Sequence, residues 1–326
     1  MSKGDLAPVD IRHLKYFIAI SEERSLSSAA QRLHVAQPSL SQHVIKLEEQ
    51  LGVPLIIRSP RGIMLTEEGH LLARHARDIV QSLDNCIEEM KATGGRVRGQ
   101  VAFGLPPSVS MVMSVPLAET MRIEYPQVRL QATEAMSGFL KTWLEDHTVD
   151  IGFLYDLDGK KHFHATHILD EDLFFFSAPD AWPLDSPPGA PVPLASLAGL
   201  DLILTSPSHG LRKSIERHAA TRGIPLNVVI EMDAMMQIKE LVARGSGYTI
   251  FAPAAAYDFV ARGELVKSLI IDPVMSRPVH LVHNPAFPMT NACRAVERIT
   301  LEVAHDLVRR GIWEGRLAPD LAAALA

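Results

Sequence analysis

Apolar residues recur at helical spacing in three short blocks between Ile11 and Gly52. In "IRHLKYFIAISEER", Ile11, Leu14, Phe17, Ile18 and Ser21 fall on one face. Ser25 is a plausible N-cap for a second helix from Leu26 to about His34, with Ala29, Ala30 and Leu33 facing inward. Small alanines let a neighbouring helix come close. "HVAQ" reads as the turn, and Pro38 suits the first turn of a third helix, where no amide donor is missed. Leu40, Val44, Leu47 and Leu51 repeat at i, i+4, i+7 and i+11, until Gly52 and Pro54 stop the helix. In "PLIIRSPRGIMLT", apolar and β-branched residues flank Ser-Pro-Arg-Gly, which predicts a hairpin with a basic tip. Two helices joined by a tight turn, followed by a hairpin, make a winged helix-turn-helix.

The next pattern is longer. Thr66 caps a helix whose first turn carries Glu67 and Glu68, where the dipole favours acids. Leu72, Ala76, Ile79, Leu83, Cys86 and Met90 follow at spacings of 4, 3, 4, 3 and 4, a heptad seam. At 1.5 Å per residue the helix from Thr66 to Lys91 is roughly 39 Å long. The seam predicts a dimerising linker; the alternative is an amphipathic helix packed on its own domain. "TGGRVRG" (Thr93–Gly99) breaks the pattern and reads as a hinge. Beyond it, strand-like and helix-like segments alternate for more than 200 residues, which predicts parallel sheets wound by helices. The Pro-rich stretch "WPLDSPPGAPVPLASLAG" is short and reads as a surface loop.

Composition narrows the class. The chain has 326 residues, 47% hydrophobic and 21% charged, as expected of a soluble globular protein of two or three domains. No long apolar run predicts a membrane span, and "MSKGDLAPVDIRHLKYF" has no signal-like apolar core, so a cytoplasmic location is the expectation. Cys86 and Cys293 form neither a metal-binding spacing nor a disulfide framework. A net charge of −6 argues against a surface that coats nucleic acid throughout. It leaves room for a local reading head: from Arg12 to Arg61 the bases Arg12, Lys15, Arg24, Arg32, Lys46, Arg58 and Arg61 outnumber Glu22, Glu23, Glu48 and Glu49.

That head has a chemistry. The tip of the third helix presents Gln37, Pro38, Ser39, Ser41 and Gln42. Glutamine can bond adenine in bidentate fashion, and serine can bond any base edge or phosphate. Arg32 and Lys46 suit phosphates, and Arg58 and Arg61 flank the wing tip, where a wing touches backbone or minor groove. The competing reading is that Gln37 and Ser39 only cap a helix.

The stretch from Leu14 to Ala73 resembles the DNA-binding half of LysR-type transcriptional regulators. The matching features are Phe17 with Glu22, S-x-x-x-A-A-x-x-L at Ser25–Leu33, Q-P-x-L-S…L-E-x-x-L-G at Gln37–Gly52, and L-T-x-x-G at Leu65–Gly69. The β/α half is similar to that family's effector domain in length and order. The resemblance implies an α+β multidomain chain. A winged helix-turn-helix DNA-binding domain would occupy 1–65, a linker (dimerisation) helix 66–92 and a hinge 93–99. A two-lobed α/β effector domain of periplasmic-binding-protein type would occupy 100–326. With chain crossings near Asp172 and Ser276, lobe one would be 100–171 plus 277–326, and lobe two 172–276. The resemblance also implies double-stranded promoter DNA, a small-molecule effector and self-association to dimers and tetramers. RNA polymerase is a further candidate partner.

In α/β sheets, ligands sit beyond the carboxyl ends of strands, against helix N-termini. "FGLPPSVS" places Ser108 there, "EAMSG" places Ser137, and "TSPSHGLR" offers Ser206, Ser208, His209 and Arg212. The family's effector-binding hydroxyls align with Ser137 and, more loosely, with Ser108. Two serine-bearing helix starts and a cation favour a small anion such as a carboxylate or sulfonate; each serine alone could be only a cap. No cofactor is expected. His162, His164 and His167 in "HFHATH" could attract zinc, but no Cys or acid completes the set, so a solvated loop is the preferred reading. Cys86 and Cys293 could be a redox pair as in one branch of the family; two inert buried thiols are the preferred reading. An α/β enzyme is opposed by the lack of a phosphate loop, dinucleotide fingerprint or nucleophile elbow. A solute-binding transport protein is opposed by the N-terminal head.

Overall fold

The structure is a computed structural model and describes residues 9–59, 62–91, 97–157 and 162–324. The chain forms two compact units, Met1–Thr93 and Gly94–Ala326. The first contains α1 (Ile11–Glu23), α2 (Leu26–Arg32), α3 (Gln37–Leu51), the hairpin β1 (Ile56–Ser59) and β2 (Gly62–Leu65), and α4 (Glu67–Lys91).

Local chemistry sets these boundaries. Asp10 and His13 form a reciprocal capping box at the start of α1, and Ser25 Oγ accepts from the Ser28 amide at the start of α2. Gly52, at φ +72°, closes α3 in the left-handed conformation that costs glycine least. The core gathers Phe17, Ile20, Ala29, Ala30, Leu40, Val44 and Leu47. The burial stripe of α1 differs from expectation: Leu14, Phe17, Ala19 and Ile20 are buried, and Ile18 is only half-buried. The helix packs against α4 as well as α2 and α3, so two neighbouring rows are covered. Leu51, expected inside, is 42% exposed because it lies in the last turn, beyond the packed stretch.

In α4, Thr66 Oγ1 accepts from the Gly69 amide at 3.0 Å and donates to the Pro54 carbonyl at 2.8 Å. The seam splits along the helix. Ala76 is buried in the head, whereas Ile79, Leu83, Cys86 and Met90 form an exposed apolar row. Most of the hinge stretch Thr93–Gly99 lies outside the described residues; its last residue, Gly99, already belongs to the next strand.

The second unit opens with β3 (Gly99–Leu105), α5 (Pro107–Glu124), β4 (Val128–Glu134), α6 (Ser137–Glu145), β5 (Ile151–Leu154) and β6 (His164–Asp172). It continues with β7 (Phe174–Ser177), β8 (Val192–Pro193), β9 (Asp201–Leu204), α7 (Gly210–Ala220), β10 (Asn227–Glu231), α8 (Met235–Ala243), β11 (Thr249–Phe251), α9 (Tyr257–Ala261) and β12 (Val266–Ile271). β13 (Ser276–His283), α10 (Asn291–Arg309), β14 (Arg316–Leu317) and α11 (Pro319–Ala324) complete it. One lobe is built on a six-stranded sheet of order β14-β6-β13-β5-β3-β4, around Phe103, Phe153, Ile299 and Trp313. The other carries β11-β7-β12-β8 and the pair β10-β9, around Phe175, Ile203, Ile238 and Phe251. Two strands link the lobes, β6 outward and β13 back, and they pair with each other from Asp172↔Ser276 to His164↔His283.

The sheets are mixed rather than parallel throughout. β3 pairs β4 and β5 in parallel, whereas β13 lies antiparallel to both β5 and β6. The strand β6 was hidden by its histidines. His164 and His167 stand on it opposite His283 and His280, not in a loop. Among the described residues no three His, Cys, Asp or Glu side chains are arranged to hold a metal ion. Of the thiols, Cys293 is buried in α10 as expected, whereas Cys86 is exposed on α4.

Candidate functional site

The reading surface of the first unit is the outward face of α3. Its N-cap residue is Ala36, with no side-chain bond to the helix start, so neither Gln37 nor Ser39 serves as the cap. Gln37, Pro38, Ser39, Gln42 and Lys46 are exposed, Ser41 is half-buried, and Leu40, Val44 and Leu47 turn inward. Packing one face thus forces the amides and hydroxyls onto the other.

The wing is fixed to this helix at two points. Glu48 Oε1 accepts from the Leu55 and Ile56 amides at 2.7 and 3.2 Å, and Arg58 Nη2 donates to Ser41 Oγ at 2.9 Å. A third tie runs from the Ile63 amide to the Arg24 carbonyl at 2.9 Å. A Cβ at Gly62 would meet that carbonyl at 2.8 Å, so glycine is needed where the wing passes. Arg61 lies outside the described residues. Arg32, expected to seek phosphate, is exposed and forms a surface pair, its Nη1 donating to Glu22 at 2.6 Å and Glu23 at 3.3 Å. Under α3, burial pulls the His43 pKa below its ordinary value, with His13 and Lys46 adding like-charge repulsion. His43 forms a ring cluster with His13 and Tyr16 that no spacing along the chain signals.

The second unit has a pocket walled by both lobes. Pro106, Pro107 and Ser108 come from the start of α5, Ser137 from the start of α6, Tyr155 from the end of β5 and Arg277 from β13. His209 and Leu211 come from the start of α7, Met235 from the start of α8, and Phe251, Ala252 and Ala255 from β11 and the turn after it. The space is about 320 Å³, its open mouth included. Strands deliver these residues at their carboxyl ends, where helix amides begin.

Of the residues the sequence nominated, Ser108, Ser137 and His209 line this space and three do not. Ser206 and Ser208 bond each other at 3.0 Å, and the Ser206 amide donates to Asp233 at 2.9 Å, so that loop is folded on itself. Arg212 is buried, donating to Glu216 at 2.7 Å, to the Thr205 carbonyl at 3.0 Å and to Glu231 at 3.3 Å. The cation of the pocket is instead Arg277. Its guanidinium lies 3.7 Å over the Tyr155 ring, donates to Ser108 Oγ at 3.2 Å and to Glu171 at 2.6 Å. Ser108 Oγ also hydrogen-bonds the Tyr155 hydroxyl. Trp313 Nε1 donates to the other oxygen of Glu171 at 3.2 Å. Two signals could have found Tyr155 and Arg277: one closes a strand in "VDIGFLYD", and the other sits at a chain crossing.

Electrostatics follow from burial. Desolvation opposes the Arg277 charge, but Glu171 and Tyr155 outweigh it, so its pKa lies above the ordinary value. Burial drives the Tyr155 hydroxyl well above its usual range, keeping it a neutral donor. Burial, then Arg277, lowers the His209 pKa. Its Nδ1 accepts from the Leu211 amide at 3.1 Å, which leaves the proton of the neutral ring on Nε2. α5, α6 and α8 begin without any side-chain cap.

Comparison with known proteins agrees with this layout. Residues 11–70 match the model of the bacterial regulatory helix-turn-helix proteins of the lysR family. Residues 94–304 match the LysR substrate binding domain. The nitrogen assimilation regulatory protein nac of Klebsiella aerogenes is 29% identical over 309 residues, covering 94% of this chain and 98% of that protein. A full-length OxyR variant from Pseudomonas aeruginosa has the same fold at a TM-score of 0.71, with 22% identity over 91% of this chain and 95% of its own. Full-length CbnR complexed with its target DNA aligns at 0.66, with 19% identity over 91% and 99%. Helix-turn-helix, wing, long helix and two-lobed pocket are therefore the parts of one known design, and the chain belongs to the LysR family of DNA-binding transcriptional regulators with an effector-binding substrate domain.

Proposed function

We propose that this regulator reads promoter DNA through the exposed tip of α3 and the wing, and that a small anion in the pocket between the lobes changes what it does there. The outward face of α3 carries the first part. Gln37, Ser39 and Gln42 offer amides and a hydroxyl to base edges, and Lys46 offers an ammonium to phosphate, all on a helix whose opposite side is buried. The CbnR complex with its target DNA supports the same use here. Retention of promoter fragments by the wild type and by the double variant Gln37→Ala/Ser39→Ala tests it. Loss of site-specific binding, with weak nonspecific binding surviving, is expected. A wild type that prefers no sequence near its own gene would overturn it.

The second part is supported by the pocket's excess of donors. Three helix starts lack side-chain caps; Ser108 and Ser137 stand in two of them, and His209 caps the start of α7 beside them. Such amides favour negative charge. The exposed row Ile79, Leu83, Cys86 and Met90 supports pairing of two chains through α4, and pairs of pairs would carry several reading heads. An effector that binds one arrangement of the lobes more tightly shifts the population toward it.

A further inference from the structure

The charges around the pocket restrict its ligand more than its donors do. The formal cation among the lining residues is Arg277, and it is already matched. Glu171, fully buried, faces it as its Cα partner on the neighbouring strand and meets its Nη2 at 2.5 Å. Trp313 holds the second oxygen of that carboxylate, so Glu171 is fixed in place. Breaking such a buried pair leaves an uncompensated charge, so an incoming anion does not displace Glu171. His209 adds no charge in the tautomer its Leu211 contact selects. Arg212, the other arginine near this wall, is held by Glu216 and Glu231. Asp233, two residues before α8, places a negative charge near His209. Among the described residues around the pocket the formal charges thus cancel or lean negative, while the hydrogen-bonding groups are mostly donors.

The rest of the wall is apolar: Leu211, Met235, Phe251, Ala252 and Ala255 on one lobe face Pro106 and Pro107 on the other. Resting on the effector-pocket reading above, we infer that this pocket is selective for monocarboxylates, with one carboxylate received by helix amides and the Ser137 hydroxyl and a short apolar body against Phe251 and Met235. Among the described lining residues a second negative charge finds no unmatched cation. A neutral amide gives up the charge that the helix starts favour.

Calorimetric titration of the full-length protein with a panel of four- to six-carbon monocarboxylates, the matching neutral amides, glutarate and inorganic phosphate tests this. The best monocarboxylate is expected to bind about tenfold or more tighter than its amide and than either dianion. Replacing the buried counter-charge, Glu171→Gln, should narrow the gap between glutarate and the monocarboxylate at least several-fold. Asp233→Asn, on an exposed residue, should narrow it less and in the same direction. If glutarate, phosphate or the amides bind the wild type as tightly as the monocarboxylates, the inference is wrong and the pocket reading stands. If neither variant moves the gap, the charge-matching argument is wrong. If no probe binds at all, the pocket reading itself falls, and this inference with it.

Discussion

Arg58 of the wing donates to Ser41 of α3 at 2.9 Å, so the two parts of the reading surface are joined by a side chain that is itself a candidate DNA contact. Replacement by alanine is expected to weaken binding to operator and random DNA alike. The slope of log affinity against log salt should fall by about one, as for loss of one phosphate contact. A change confined to one operator position would instead mark Arg58 as a base reader.

Gly69 is held by space. A Cβ there would sit 2.1 Å from the Leu55 carbonyl, where α4 crosses the strand entry. Despite the better helix propensity of alanine, Gly69→Ala should destabilise the head by about 1–3 kcal/mol through overpacking. Urea unfolding of the variant and wild type measures this, and equal midpoints would contradict it.

Leu83 is 38% exposed in the single chain, within the apolar row of α4. Leu83→Glu should shift sedimentation toward a smaller species at micromolar protein, while circular dichroism stays the same. An unchanged sedimentation coefficient would remove α4 from the contact.

Ser137 stands at the first turn of α6, half-buried at the pocket wall. Ser137→Ala should weaken effector binding by about 1 kcal/mol, the net value of one hydrogen bond, with no loss of thermal stability. Unchanged affinity would take Ser137 out of the site.

Acid should loosen the second unit. Burial is the first cause of lowered pKa values at His209, His280 and His283, each measured against an ordinary value of 6.5. A folded pKa below the unfolded one means that the unfolded chain binds more protons between the two values. The stabilising contribution is therefore complete above 6.5 and is lost as pH falls below it through the folded pKa values. A melting temperature lower at pH 5.5 than at pH 7.5 is expected, and His280→Gln should flatten the dependence.

The head was the most legible part of the sequence. Its signals are local: Ser25 before Leu26, Pro38 in a first turn, Gly52 after the last turn. The Leu40, Val44 and Leu47 stripe directly implied that Gln37, Ser39 and Gln42 face out. Where the reading failed, the cause was long-range. The surface partners of Arg32, Glu22 and Glu23, lie ten and nine residues away on another helix. Arg212 looked like a pocket cation because it follows a strand, but helical phase turns it to Glu216, one turn on, and Glu231, on the next strand. Arg277 and Glu171 are separated by 106 positions, and only strand pairing brings them together. No window along the chain contains that pair. The same holds for the histidines of β6, whose partners His280 and His283 come more than a hundred residues later.

The lobes of the second unit are not strung on two loose threads. Their crossings, β6 and β13, lie side by side and are laced by hydrogen bonds. A ribbon of two paired strands resists splaying and yields more readily to torsion. Ligand-driven rearrangement within this unit is therefore expected as a modest twist about that ribbon, with the Glu171–Arg277 clasp near its axis, and not as a wide gape of the lobes.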